Sequence, residues 1–150
     1  MTNIGIVGSE FAKFTPEQRE KAKALIRELL SVPGAVLVSG RSPLSGIDVW
    51  AEEIADELCI PKIIHEPQTL SWSGPMGYKE RNMLISRDSD EVHVIAVRDY
   101  PPGYSGMRFD LCYHCARTGR PSTTHVKSGG CWTLNDALNH GKRGEVHVID

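Results

Sequence analysis

The clearest pattern along the chain lies between residues 35 and 58. Ala35, Val36, Leu37 and Val38 form an unbroken apolar run, as in a parallel strand buried on both faces. Residues 39–46 follow, a loop rich in Ser, Gly and Pro. Ile47, Trp50, Ala51, Ile54, Ala55 and Leu58 then recur at helical spacing on one face. Strand, glycine-rich turn and helix is the arrangement that aims backbone N–H groups at an anion. A phosphate is therefore expected at this helix N-terminus.

The same patterning divides the rest of the chain. Ile4-Gly5-Ile6-Val7 predicts a first strand ending at Gly8-Ser9. Thr15, Pro16 and Gln18 predict a helix opened by a capping box, with Ala22, Leu25, Ile26, Leu29 and Leu30 facing the core. Pro33-Gly34 ends it. A short strand over 62–65, a loop over 66–77, a helix from Tyr78 to about Arg87 and a strand over 92–97 come next. The loop 98–106 leads to a predicted helix over 108–117 and a strand over 124–127. A short helix capped by Thr133 and stopped by Gly141 precedes a last strand over 146–149. Glu-Val-His-Val-Ile occurs twice, at 91–95 and 145–149, with unmatched flanks, and reads as two similar strands. Of the histidines, His65, His93 and His147 fall in strands and read as structural.

Alternating strands and helices predict an α/β fold: a Rossmann-like three-layer α/β/α arrangement around a mostly parallel sheet. In such sheets ligands bind beyond the carboxyl ends of the strands. The loops 8–11, 39–46 and 98–106 all leave strand carboxyl ends and are expected to meet at one crevice.

Length and charge narrow the picture. A chain of 150 residues predicts a single domain over 1–150. The net charge of −2, with no basic stripe, argues against nucleic acid as a partner. No apolar run is long enough to cross a membrane. The first ten residues lack the basic and apolar regions of a signal peptide, so a cytoplasmic location is expected. The four cysteines are then expected as thiols or metal ligands.

Three stretches together resemble the SLOG superfamily, a Rossmann-like group that includes the cytokinin-activating phosphoribohydrolases and the DprA proteins. The first is Ser39-Gly40 followed, after five residues, by Gly46-Ile47-Asp48-x-x-Ala51, similar to Ser-Gly-x-Ala-x-Gly-Ile-Asp-x-x-Ala with a longer loop. The second is Arg81-Asn82 on the third helix. The third is Pro102-Gly103-Tyr104-Ser105-Gly106-Met107-Arg108-Phe109-Asp110, with the spacing of Pro-Gly-Gly-x-Gly-Thr-x-x-Glu. The resemblance spans about 4–120. It implies a nucleotide or nucleoside-derived ligand held by Gly8, Ser9, Ser39, Gly40, Arg41, Ser45, Gly46, Asp48, Asn82, Pro102, Gly103 and Gly106. It implies Arg81 and Asp110 as the pair acting at an N-glycosidic bond, and a homodimer. Tyr104 stands where the motif has Gly, Met107 where it has Thr, and Asp110 where it has Glu. These departures favour binding over hydrolysis.

Read from the residues alone, several positions keep two readings. Asp48 suits a ribose hydroxyl or a first-turn acid favoured by the helix dipole. Arg81 suits an oxyanion or a surface ion pair. Asp110 suits acid–base work or a helix N-cap. Trp72 and Tyr78 suit a stacked base or packing under a loop. Cys112, Cys115, His125 and Cys131 form a further constellation. Cys-x-x-Cys on a helix turns both sulfurs to one side, and thiolates with imidazole suit tetrahedral zinc. Small cysteine side chains packing in a core are the alternative. A zinc here would be structural, stabilising residues 110–135, and no redox cofactor is implied.

Three functions follow as expectations. The first is a SLOG-type sensor or binding protein for a nucleotide. The second is a phosphoribohydrolase cleaving the N-glycosidic bond of a nucleoside 5'-monophosphate. The third, DNA binding like DprA, is disfavoured by the acidic balance.

Overall fold

The protein was analysed as a computed structural model, which describes residues 1–119 and 124–150. Residue 120, the end of the resembling span, and residues 120–123 of the expected zinc segment lie outside the described residues. Five strands form one all-parallel sheet: β1 (Thr2–Gly8), β2 (Ala35–Ser39), β3 (Lys62–Ile64), β4 (Glu91–Val97) and β5 (Arg143–Ile149), in the order β3-β2-β1-β4-β5. Two helices, α1 (Pro16–Leu29) and α2 (Ile47–Glu57), cover one face of the sheet. Across the other face lie α3 (Tyr78–Asp88), the single turn α4 (Tyr113–Ala116) and α5 (Gly130–Asn139).

Each face has its own apolar cluster. Ile4, Ile6, Leu37 and Ile95 meet Ala22, Ile26, Trp50 and Ile54 on one side. On the other, Val7, Val38, Val92 and Val94 meet Ile85, Leu134, Ala137 and three of the cysteines. Alternation along buried strands feeds both clusters, as expected of a sheet covered on both faces. The capping box at α1 forms as predicted: Gln18 N–H donates to the Thr15 hydroxyl at 3.2 Å, and Thr15 N–H donates to the Gln18 side chain at 2.9 Å.

The second half departs from the sequence reading in three places. The helix predicted over 108–117 shrinks to Tyr113–Ala116, opened by Cys112 rather than by Asp110. Phe109 N–H donates to the Tyr100 hydroxyl at 3.0 Å, so a side chain takes the amide a helix would use. Residues 124–127 form no strand. Val126 N–H reaches the Val97 carbonyl at 2.9 Å, but the place beside β4 belongs to β5, paired over seven residues. Thr133 lies inside α5, which starts three residues earlier at Gly130.

Candidate functional site

A cavity of about 530 Å3 opens at the carboxyl ends of the strands. The segment after β1 contributes Gly8, Ser9, Glu10 and Lys13, and the segment after β2 contributes Ser42, Leu44, Ser45 and Asp48. From the start of α3 come Tyr78, Lys79, Arg81 and Asn82, with Trp72 ahead of it. The far wall is built by α4 and by the approach to α5, with Tyr113, His114, Arg117 and residues 127–130, Trp132 and Thr133.

Of the residues expected at a ligand, Gly8, Ser9, Ser45, Asp48, Arg81 and Asn82 line this cavity. Ser39, Gly40 and Gly46 stand behind the lining, where they hold the loop. Gly46 has a left-handed φ of 84°, and a Cβ there would meet the Ser9 carbonyl oxygen at 2.5 Å. That close approach lets Ile47 N–H donate to Ser9 O at 3.3 Å, locking the first two loops together. Arg41 turns away to Glu52 and Glu66. The 98–106 loop meets loop 8–11 through Tyr104, whose hydroxyl donates to Glu10 at 3.1 Å, but none of its residues lines this cavity. Pro102 and Gly103 line a separate hollow of about 290 Å3 beside Phe14, Gly106 packs on Tyr104, and Asp110 is exposed. Arg81 and Asp110 are therefore not brought together at the cavity.

Arg81 and Asp48 act as an internal clamp. The guanidinium donates to the Gly40 carbonyl at 2.7 Å and to Asn82 Oδ1 at 2.8 Å, and stands 3.6 Å from the Asp48 carboxylate. Asp48 in turn accepts the Ser42 N–H at 3.0 Å. Burial pushes the Asp48 carboxyl above its ordinary range, against the pull of Arg81, and burial likewise lowers Arg81. At the N-terminus of α2 the Ser9 carbonyl thus takes the Ile47 N–H, while the Asp48 carboxylate is engaged by the Ser42 N–H and Arg81.

This clamp carries a prediction. A Cβ on Gly40 would stand 2.0 Å from Arg81 Nη1. Gly40→Ala must expel the guanidinium and leave a buried carbonyl unpaired, at a cost of about 1–3 kcal/mol. A lower melting temperature together with weaker ligand binding is the expected result. Unchanged melting and calorimetric affinity would remove Arg81 from both roles.

The N-terminus of α5 is built differently. Its first turn carries no acidic residue, and the Ser128 hydroxyl accepts the Gly130 N–H at 3.2 Å. Gly129 faces open space. Thr133 Oγ1 on the same turn, Ser9 Oγ across the cavity and His114 Nδ1 on α4 are buried with no hydrogen-bond partner among the described residues, and all three residues line the cavity. Five cations, Lys13, Lys79, Arg81, Arg117 and Lys127, face two acids, Glu10 and Asp48, so the lining is net positive. Burial lowers the Lys13 ammonium below its usual range, a cost that a bound anion would offset. Trp72 and Trp132 meet edge to face at 5.5 Å on the rim.

Sequence reasoning missed this wall. The signal was nevertheless present, because Ser128-Gly129-Gly130-Cys131-Trp132-Thr133-Leu134-Asn135-Asp136 keeps Gly-Gly, Thr and an acid at the spacing of the motif sought at 102–110. Asp136, at the acid position, does not line the cavity and sits 3.8 Å from His140.

Behind the wall, Cys112, Cys115, His125 and Cys131 are all buried, with their ligand atoms within 4.8 Å of one another. His125 Nε2 lies 3.5 Å from Cys115 Sγ and 3.4 Å from Cys131 Sγ. A zinc tetrahedron with ordinary bond lengths has S···N edges of about 3.6 Å. The Thr124 hydroxyl meets Nδ1 at 3.0 Å, which leaves Nε2 turned to the sulfurs. The donors thus fit a tetrahedral metal in type and spacing. The hydrogen bond from Cys131 holds the Cys112 thiol down at about 2, and the same contact pushes Cys131 up.

No protein-family model matches the sequence, and no curated protein matches it. Among solved structures, the chain is similar to the molybdenum cofactor carrier protein of Chlamydomonas reinhardtii, with a TM-score of 0.51 and 19% identity over 100% of this chain and 91% of that one. DNA processing protein A of Streptococcus pneumoniae aligns with a TM-score of 0.48 and 18% identity over 97% of this chain and 58% of that one. The fold is α/β and Rossmann-like.

Proposed function

We propose that this chain is a SLOG-type binding protein for a phosphate-bearing, nucleotide-like ligand. The phosphate sits at the N-terminus of α5, where Gly129 and Thr133 present donors and Lys13, Arg117 and Lys127 present charge. The ring system lies toward Trp72 and Trp132. One observation carries this reading: of four buried polar side-chain groups with no partner among the described residues, three, on Ser9, His114 and Thr133, line one cationic cavity, and the fourth is on Arg19. Folded proteins pair such groups, so their unmet capacity fits a ligand.

Binding is favoured over hydrolysis of an N-glycosidic bond. Asp110 is exposed, Asp136 is off the cavity, and Arg81 is spent on Gly40 and Asp48. The similar Chlamydomonas protein is a cofactor carrier, which accords with a holding role. We further propose that Cys112, Cys115, His125 and Cys131 hold a structural zinc, which would fix the wall behind the phosphate; all four coordination positions would be filled by protein.

Mass spectrometry of what the purified protein releases on denaturation tests the reading. A phosphorylated nucleoside or a related cofactor is the expected find. Calorimetry with AMP, ADP and pyrophosphate, and an assay for free base, complete the test. Release of base would restore the hydrolase reading. No binding of any of these probes, with only non-phosphorylated molecules released, would overturn the proposal.

A further inference from the structure

The Glu-Val-His-Val-Ile repeat contributes no residue to the lining of the cavity. In the fold its two copies become neighbours, because β4 pairs with β5. The register sets His93 opposite Glu145 and Ile95 opposite His147, so both histidines and both glutamates of the repeat project from one face. That is the face covered by α1.

The side chains converge. His93 Nδ1 lies 2.9 Å from His147 Nε2, and His147 Nε2 lies 3.7 Å from a Glu145 carboxylate oxygen. These donor atoms lie within 4.8 Å of one another. On its other side, His93 Nε2 meets the Glu91 carboxylate at 2.9 Å, and Arg143 holds the second Glu91 oxygen at 3.2 Å. A carboxylate accepts, so His93 carries its proton on Nε2 and turns the bare lone pair of Nδ1 toward His147.

We propose that the repeat builds a second metal site, in which His93 Nδ1, His147 Nε2 and Glu145 bind a divalent transition ion such as zinc and Glu91 orients His93. Two nitrogens bound to one zinc at ordinary length stand about 2.9–3.4 Å apart for bond angles from 90° to tetrahedral. The observed separation falls at the short end of that range. The carboxylate behind the ligating imidazole is the usual device for fixing tautomer and ring orientation. Imidazole and carboxylate without sulfur suit zinc, cobalt or nickel. On binding, His147 gives up its Nε2 proton to solvent and takes one up on Nδ1, so it stays a neutral imidazole, and the metal takes the place of the shared proton. Glu145 is 67% exposed and turns freely to complete the set, leaving one coordination position for water. With three ligands at a sheet edge, the site takes up added metal instead of retaining it through purification.

Zinc-binding stoichiometry of the intact chain, measured by equilibrium dialysis and elemental analysis, tests this. His147→Ala should bind one zinc fewer per chain than the wild type, whatever the cysteine cluster holds. Because Glu145 is exposed, Glu145→Gln keeps the fold and should weaken this equivalent about tenfold or more. Glu91→Gln, which removes only the orienting carboxylate, should weaken it about 10–100-fold. Cobalt added to protein dialysed free of loosely held zinc should give weak visible bands without the near-ultraviolet absorption of a thiolate complex. Equal zinc content in wild type, His147→Ala and Glu145→Gln would overturn the proposal and leave a hydrogen-bonded histidine pair.

Discussion

Protein stripped of metal by a strong chelator should melt about 8–16 °C lower than the loaded protein and lose most of its affinity for nucleotide. The first figure follows from linkage. A metal held at a thousand times its dissociation constant adds about 4 kcal/mol, and each kcal/mol moves the midpoint of a chain this size by about 2–4 °C. The second effect follows from where the ligands sit. Cys112 and Cys115 bracket Tyr113 and His114, and Cys131 lies between Gly130 and Trp132; these intervening residues line the cavity. One ion held by this cluster would therefore tie α4, the approach to α5 and the first turn of α5 together. Without it, three sulfurs and an imidazole share protons in a buried cluster, with Cys112 drawn down by its bond from Cys131 and His125 raised by contact with Cys112. Elemental analysis of protein purified without chelator should give about one tightly held zinc per chain. Cys115→Ser should lose it and match the stripped protein in melting and in calorimetry. Absence of metal from the wild type would return these cysteines to ordinary core packing.

Much of the fold was legible because each local signal agreed with the global one. The apolar run at Ala35–Val38, the periodicity from Ile47 to Leu58 and the capping box at Thr15 each specify an element without help from distant residues. The cysteine spacing pointed to a cluster that the fold does assemble. Half the cavity was legible too, since Ser9, Ser45, Asp48 and Arg81 follow from strand ends and motif order. The other half was not. More than thirty residues lie between β4 and α5, and among the described ones there is a single helical turn, so hydrophobic spacing gives no register there. Pro102-Gly103 and Gly106 then drew the phosphate motif to a loop that ends at a different hollow. The cations Lys13, Arg117 and Lys127 come from separate segments, and only tertiary packing sets them around one space. The Glu-Val-His-Val-Ile repeat is the converse case. It was plain in the sequence, and its chemistry emerged only when the sheet order set its copies side by side.

Thr133→Val should raise the stability of the free protein and weaken its ligand binding about 10–150-fold. The side chain is fully buried, and its hydroxyl has no partner among the described residues. Valine has nearly the same shape, so the substitution leaves little cavity and removes a stranded polar group whose burial costs about 1–3 kcal/mol. Melting temperature should therefore rise. A bound phosphate reverses the sign, because the hydroxyl then donates to a charged oxygen, a bond worth about 1.5–3 kcal/mol. Converted at about 1.4 kcal/mol per tenfold, that loss is the affinity change stated. Opposite signs in two measurements on one variant are hard to obtain from general damage, which lowers both. Thr133→Ser keeps the hydroxyl and should retain affinity while losing some stability with its methyl group. If Thr133→Val binds nucleotide as tightly as the wild type, the phosphate does not sit at α5. If it melts lower, the hydroxyl has a partner within the folded chain, and the argument from unmet hydrogen bonds fails at this residue.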